Sequence, residues 1–244
     1  IIGRGKSVGI DFFPTPKHVA KEMINYADIK EGMKVLEPSA GNGNIADAIS
    51  ETGVIPDVAE ISGELRQILE AKGYNIVAND FMSINNKNYY DRIIMNPPFS
   101  NGLDIEHIRH AHDLVKPGGV IIAIAGEGSF IRNDKKSKEF REWLDDLGAE
   151  IQQLEKDTFM DKTLLNTTGA NARLIVIHKD DDTTKSIKLF GKFISFDKKP
   201  DSLKDKFFSL FKSKQFPLQK YLTKKQPKII KSVKIFNKHF YLTK

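Results

Sequence analysis

Lys34-Val35-Leu36-Glu37-Pro38-Ser39-Ala40-Gly41-Asn42-Gly43-Asn44 runs from a short apolar stretch through a glycine-rich turn into a helical pattern. Pro38 has no N–H to give a central ladder, so the strand, read over 34–37, ends at Glu37. Gly41 and Gly43 permit a tight turn and a close backbone approach to a ligand, with the first amides of the following helix facing it. A tight strand-to-helix turn also needs glycine for steric reasons alone. The third glycine of the dinucleotide fingerprint is missing, which counts against NAD.

The same alternation continues on both sides of this turn. Upstream, 17–26 is predicted as a helix with Val19, Ala20, Met23, Ile24 and Ala27 on one face. Downstream, helices are expected over 44–51, over 64–72 (stopped by Gly73), over 104–115 (stopped by Lys-Pro-Gly-Gly) and over 136–147. Strands are expected over 57–61, 75–78, 92–95, 120–125, 150–154 and 173–179. Strands alternating with helices imply an α/β architecture: an open, doubly wound, mainly parallel sheet of about seven strands.

The composition, 40% apolar and 29% charged over 244 residues, is that of a globular chain. There is no cysteine, which excludes disulfides, thiolate zinc sites and thiol nucleophiles and fits a reducing, cytoplasmic setting. The longest apolar run, Val120 to Ala125, falls far short of the roughly 18 residues that span a bilayer. The first residues show no secretory-signal pattern, and the chain opens on Ile1 rather than Met, which leaves room for residues upstream. The net charge of +6 conceals a division. Residues 183–244 carry 17 Lys, no Arg and 3 Asp, a net of +14, together with 9 of the 16 Phe; residues 1–182 carry a net of −8. We therefore expect a catalytic or binding domain over 1–182 and a small basic Lys/Phe-rich extension over 183–244. A strand pair near Gly191 and a short helix over 203–211 are expected within the extension.

The chemistry-bearing residues cluster at strand ends. Glu60, at the end of the second strand, is placed to accept hydrogen bonds from two ribose hydroxyls. Asp80, ending the third strand, could bind an adenine amino group while Phe81 covers the ring. Asn96-Pro97-Pro98-Phe99 ends the fourth strand. Its two prolines remove two donors and stiffen the loop, leaving the Asn96 side-chain oxygen and the Pro97 carbonyl as fixed acceptors beside an aromatic platform. Two acceptors aimed at one planar amino group hold its hydrogens and orient its nitrogen for in-line attack on an activated methyl, catalysis by position and electrostatics. His107, His110 and His112 lie on one predicted helix without a carboxylate pattern of metal type, so no metal is expected. Glu127 and Ser129 are read as rim residues and the lysines at 135, 136 and 138 as a solvated helix start. The stretch 158–171 is read either as a flap or as a plain connection.

These motifs resemble the S-adenosylmethionine-dependent, amino-methylating adenine DNA methyltransferases. Glu37 to Gly43 is similar to that family's first cofactor motif, Asn96 to Phe99 to its catalytic motif, and Phe12-Phe13-Pro14-Thr15-Pro16 to the motif beside the methionine end of the cofactor. The resemblance covers residues 10–180 and implies a Rossmann-like methyltransferase sheet with its last strand antiparallel. It implies S-adenosyl-L-methionine as cofactor, with Phe13, Thr15 and Pro16 lining the methionine pocket and Glu37 facing its ammonium group. Pro38, Ser39, Ala40, Gly41 and Gly43 would form the loop, Glu60 and Ile61 would take the ribose side, and Asp80 with Phe81 the adenine. Asn96, Pro97, Pro98 and Phe99 would hold a target base flipped out of DNA. The family's long target-recognition domain has no counterpart in the 62-residue extension. Without arginine that extension suits holding nucleic acid better than reading it, which implies loose specificity or a separate specificity or restriction partner. RNA is the alternative substrate. A protein-glutamine methyltransferase and a non-catalytic DNA-binding subunit are weaker rivals.

Overall fold

A computed structural model describes residues 13–156, 158–160 and 171–180, and the strands over 187–189, 192–194, 232–235 and 238–241. The chain divides into two compact units, Ile1–Lys179 and Asp180–Lys244. In the first, the strands are β1 (Val35–Glu37), β2 (Asp57–Ala59), β3 (Asn75–Ala78), β4 (Tyr90–Met95), β5 (Val115–Gly126), β6 (Glu150–Gln153) and β7 (Ala172–His178). The helices are α1 (Lys17–Ala27), α2 (Asn44–Ser50), α3 (Gly63–Ala71), α4 (Leu103–Leu114), α5 (Gly128–Ile131) and α6 (Lys135–Leu147).

The seven strands form one sheet in the order β3-β2-β1-β4-β5-β7-β6. All neighbours from β3 to β5 are parallel, whereas β7 runs antiparallel between β5 and β6. Strand order reverses between β1 and β4, so the crevice beyond their C-terminal ends is the topological switch point where open α/β sheets bind ligands.

Both faces of the sheet are covered, and the sequence shows why. Along β5, Ile121, Ala123 and Ala125 pack on the face that carries Ile105, Ile108, Phe140 and Leu144 of α4 and α6. Val120, Ile122 and Ile124 pack on the opposite face with Val19, Met23, Ile45 and Ile49 of α1 and α2. Successive strand residues point to opposite faces, so a strand buried on both must be apolar at every position. Truncating Ile122, which is fully buried, to Ala would cost about 2–5 kcal/mol.

The boundary between α4 and β5 differs most from the sequence expectation. Lys-Pro-Gly-Gly does not separate α4 from the next strand but lies inside β5, which begins at Val115 opposite Tyr90 and then shifts register to set Val120 opposite Arg92. A proline is tolerated at such an irregularity because no ladder donor is required there. Gly119 fits because a Cβ would lie 2.9 Å from the Asp91 carbonyl oxygen. Helix α5 and the short 3-10 turns over Phe81–Ser83 and Ser100–Gly102 are too brief to leave a periodic signal.

In the second unit, β8 (Ile187–Leu189) pairs antiparallel with β9 (Lys192–Ile194), and β10 (Ser232–Ile235) with β11 (Lys238–Tyr241). The helix expected over 203–211 and most of the stretch 158–171 lie outside the described residues.

Candidate active site

The glycine turn is built by local necessity. Gly41 and Gly43 both adopt positive φ, 55° and 89°. At Gly43 a Cβ would also lie 3.1 Å from Leu69 and 3.3 Å from the Lys72 ammonium. Lys72 donates to the Asn42 carbonyl at 2.8 Å and to Asp47 at 2.7 Å, and Tyr74 donates to the other Asp47 oxygen at 2.6 Å. Side chains from the connection between α3 and β3 thus clamp the turn from outside. Sequence reading missed this clamp, because a lysine and a tyrosine near a helix end carry no special pattern.

Glu60 follows β2 and is buried. One carboxylate oxygen accepts the Gly41 N–H at 2.7 Å and the other accepts the Ser62 N–H at 2.8 Å. A carboxylate has about four lone-pair sites, so both oxygens retain capacity for a further donor. Glu37, at the end of β1, is 1% exposed, and its Oε2 has no hydrogen-bond partner among the described residues. Burial pushes its carboxyl well above the usual carboxylate range, against a hydrogen bond from the Ala46 backbone that lowers it. A buried carboxyl oxygen with no partner is costly and is relieved by a cation or donor brought by a ligand.

Asp80 is exposed and caps the 3-10 turn, accepting the Met82 N–H at 2.9 Å. Phe81 differs from its expected role of covering a ring. It is 3% exposed, with its ring edge-on to His107 at 5.3 Å and to His110 at 4.8 Å. Exposed apolar side chains past the ends of these strands are instead Ile61, after β2, and Met82, after β3. The three histidines do not converge: His112 lies against Trp143. Among the described residues no cluster of His, Asp or Glu could hold a metal ion.

Asn96 is the centre of the arrangement. Its amide nitrogen donates to the Phe13 carbonyl at 3.3 Å and to the Thr15 hydroxyl at 3.1 Å. The Phe13 carbonyl can only accept, so the amide must present NH2 to it, which fixes the orientation of the group. The Asn96 Oδ1 is left buried and without a partner among the described residues. Thr15 is itself held by its carbonyl, which accepts from the Asn44 side chain at 2.8 Å. The Phe13-Pro14-Thr15-Pro16 segment therefore ties the start of α2 to the end of β4. Pro97 is buried, and the Phe99 ring rests on Gly126, where a Cβ would lie 3.1 Å from its Cγ.

At the rim beyond β5, Glu127 and Arg173 form a two-pronged ion pair at 2.6 and 3.0 Å, with the guanidinium 4.5 Å from the centre of the Phe130 ring. The Arg173 hydrogen bonds hold the Glu127 carboxyl below its usual range. Lys136 is not merely solvated: it donates to Glu106 at 2.6 Å and to the Asn101 carbonyl.

Solved structures share this topology. One is the type I restriction enzyme EcoKI M protein, at TM-score 0.57 and 16% identity over 68% of this chain and 44% of that one. A class I S-adenosylmethionine-dependent methyltransferase assigned in Listeria monocytogenes gives 0.54 and 13%, over 72% and 63%. The fold is that of the S-adenosylmethionine-dependent methyltransferases. Sequence relatives agree with this methyltransferase fold. The type II methyltransferase M.HincII of Haemophilus influenzae is 30% identical over 95 residues, 38% of this chain and 18% of the relative. The protein-L-isoaspartate O-methyltransferase of Hyperthermus butylicus is 31% identical over 150 residues, 52% of this chain and 56% of the relative. The chain thus spans less than a fifth of the Haemophilus relative's length. No protein-family model matches the chain.

Proposed function

We propose that this methyltransferase-fold chain transfers a methyl group to the exocyclic amino group of adenine in DNA, with S-adenosyl-L-methionine as donor. The observation that carries the reading is the Asn96 amide: its nitrogen is anchored to Phe13 and Thr15, and its buried oxygen is free to accept from an amino group.

The surrounding residues fit the cofactor. The unpartnered Glu37 oxygen suits the methionine ammonium, the spare capacity of Glu60 suits the ribose hydroxyls, and Ile61 and Met82 offer apolar surface for adenine beside the Asp80 carboxylate. When bound, S-adenosylmethionine supplies the electrophilic methyl group. The protein's part is to orient. Asn96 Oδ1 and the Pro97 carbonyl accept the two amino hydrogens, and Phe99 stacks on the base, which must leave a duplex to reach them. No strong base is needed before transfer, since the amine becomes acidic only once alkylated.

The last 62 residues, with a net charge of +14, supply a non-specific hold on phosphates. The test is transfer of labelled methyl from S-adenosylmethionine to duplex DNA, single-stranded DNA, RNA and protein, assayed separately. Label in the adenine amino group of DNA is the expected result. Label confined to RNA or protein overturns the substrate assignment.

A further inference from the structure

Asp104 lies in the first turn of α4, five residues beyond Phe99, and is 1% exposed. Its Oδ2 accepts the Gly126 N–H at 3.1 Å and the Ser129 hydroxyl at 2.7 Å. The Gly126 bond answers a need created by the loop. The last register pair of β4 with β5 is Met95 with Ala123, after which Asn96-Pro97-Pro98 turns away from β5. A backbone N–H at the end of a central strand must still find an acceptor, and the Asp104 carboxylate takes the place of the missing ladder carbonyl.

Gly126 is also the surface under Phe99. A Cβ there would lie 3.1 Å from the Phe99 Cγ and 3.2 Å from its Cβ and Cδ2, closer than ordinary packing permits. The order of support is therefore Asp104 to Gly126 to Phe99. Burying a carboxylate is unfavourable, and burial raises the Asp104 carboxyl above its usual range despite the Ser129 and Gly126 hydrogen bonds. An apolar residue would fill the same space without that penalty but would leave the Gly126 N–H unpaired.

We infer that Asp104 is a positioning residue for the acceptor base, setting the height of the Phe99 ring through Gly126. The inference rests on the reading of Phe99 as the stacking surface, and the experiment separates the two. The full-length protein would carry a trifluoromethylphenylalanine at position 99, introduced site-specifically. Fluorine NMR would report ring position, and steady-state kinetics on duplex DNA would report function.

Asp104→Ala and Gly126→Ala should both move the fluorine resonance. In unlabelled protein each should lower kcat/KM for DNA by about tenfold or more while changing the S-adenosylmethionine Kd by less than about twofold. Asp104→Asn keeps a carbonyl acceptor and should recover most of the rate. In a Phe99→Ala background, Asp104→Ala should cost nothing further, because its route to the base is already gone. Fully additive losses, or a stationary fluorine resonance in Asp104→Ala, overturn the inference. If Asp104→Ala does not fold, Asp104→Ser serves, since its shorter side chain cannot reach the Gly126 N–H: the Phe99 fluorine resonance should move and kcat/KM for DNA should fall, and a stationary ring overturns the inference. A wild-type protein that transfers no methyl to adenine, with the fluorine shifts as described, contradicts the functional reading and leaves the positioning intact.

Discussion

The Asn96 side-chain nitrogen donates to the Thr15 hydroxyl at 3.1 Å, joining two residues 81 positions apart. The accept-only Phe13 carbonyl decides which end of the amide is the free oxygen, and the Thr15 bond helps to hold it there. Thr15→Val should therefore loosen the amide while Thr15→Ser should hold it. A neutral hydrogen bond contributes about 0.5–1.5 kcal/mol, so kcat in Thr15→Val should fall by about two- to twelvefold. Equal rates for the Val and Ser variants in a methyl-transfer assay would show that Thr15 does not orient Asn96.

Glu60 and Asp80 are predicted to bind the adenosine part of the cofactor. Loss of a hydrogen bond to a charged group costs about 1.5–3 kcal/mol, so Glu60→Gln and Asp80→Asn should each weaken S-adenosylmethionine binding by up to roughly a hundredfold. The amide at position 60 can still accept one of the Gly41 and Ser62 bonds, so the loop should stay folded. Calorimetry with unchanged affinity in both variants would remove these residues from the cofactor site.

Glu37 gives the protein a pH dependence with a definite sign. Its folded-state pKa lies well above the ordinary value because of burial, so the folded protein binds this proton more tightly than the unfolded chain. The associated stability is present in full below the ordinary carboxylate range and is lost as pH rises through the elevated folded-state value. Glu37→Gln should remove this slope, so its melting temperature should gain on the parent as pH increases. An ammonium paired with the carboxylate reverses the balance, and cofactor binding should then release a proton. Calorimetry in buffers of different ionisation enthalpy, repeated from acid to neutral pH, measures that release; zero release in the parent at every pH would contradict the pairing.

Much of this architecture is legible in the sequence, for a physical reason. Central strands buried on both faces must be apolar throughout, so Val120 to Ala125 announces itself, and the glycines at 41 and 43 mark a turn that only they can make. What could not be read depends on distant partners. Phe81 looks like a ligand-covering ring until His107 and His110, on α4, are seen to enclose it. Asp104 looks like an ordinary first-turn acid until Gly126 and Ser129, more than 20 residues on, are found hydrogen-bonded to it. Lys-Pro-Gly-Gly reads as a terminator, and only the pairing of Val115 with Tyr90 shows it to be an irregularity within a strand.

Removing residues 183–244 should weaken DNA binding and flatten its salt dependence, by about 0.9 in the log–log slope for each phosphate that is no longer neutralised. The cofactor residues all precede Asn96, so S-adenosylmethionine affinity should persist. Unchanged DNA affinity and salt slope in the truncated protein would show that the +14 segment does not hold phosphates.

Phe99 should be replaceable only by another flat ring. Phe99→Ala should lose about 1–3 kcal/mol of stacking with the flipped base, while Phe99→Tyr and Phe99→Trp should retain activity. With 2-aminopurine at the target position, binding should raise fluorescence in the parent and raise it less in Phe99→Ala. Equal enhancement in both would mean that the base does not rest on this ring.

The most direct test is the rate of methyl transfer to adenine in DNA by Asn96→Ala, measured beside its S-adenosylmethionine affinity. Asn96 acts on the acceptor, so the account predicts that turnover is abolished while cofactor affinity stays within about twofold of the parent. Methylation of adenine by Asn96→Ala at the parental rate would contradict the account.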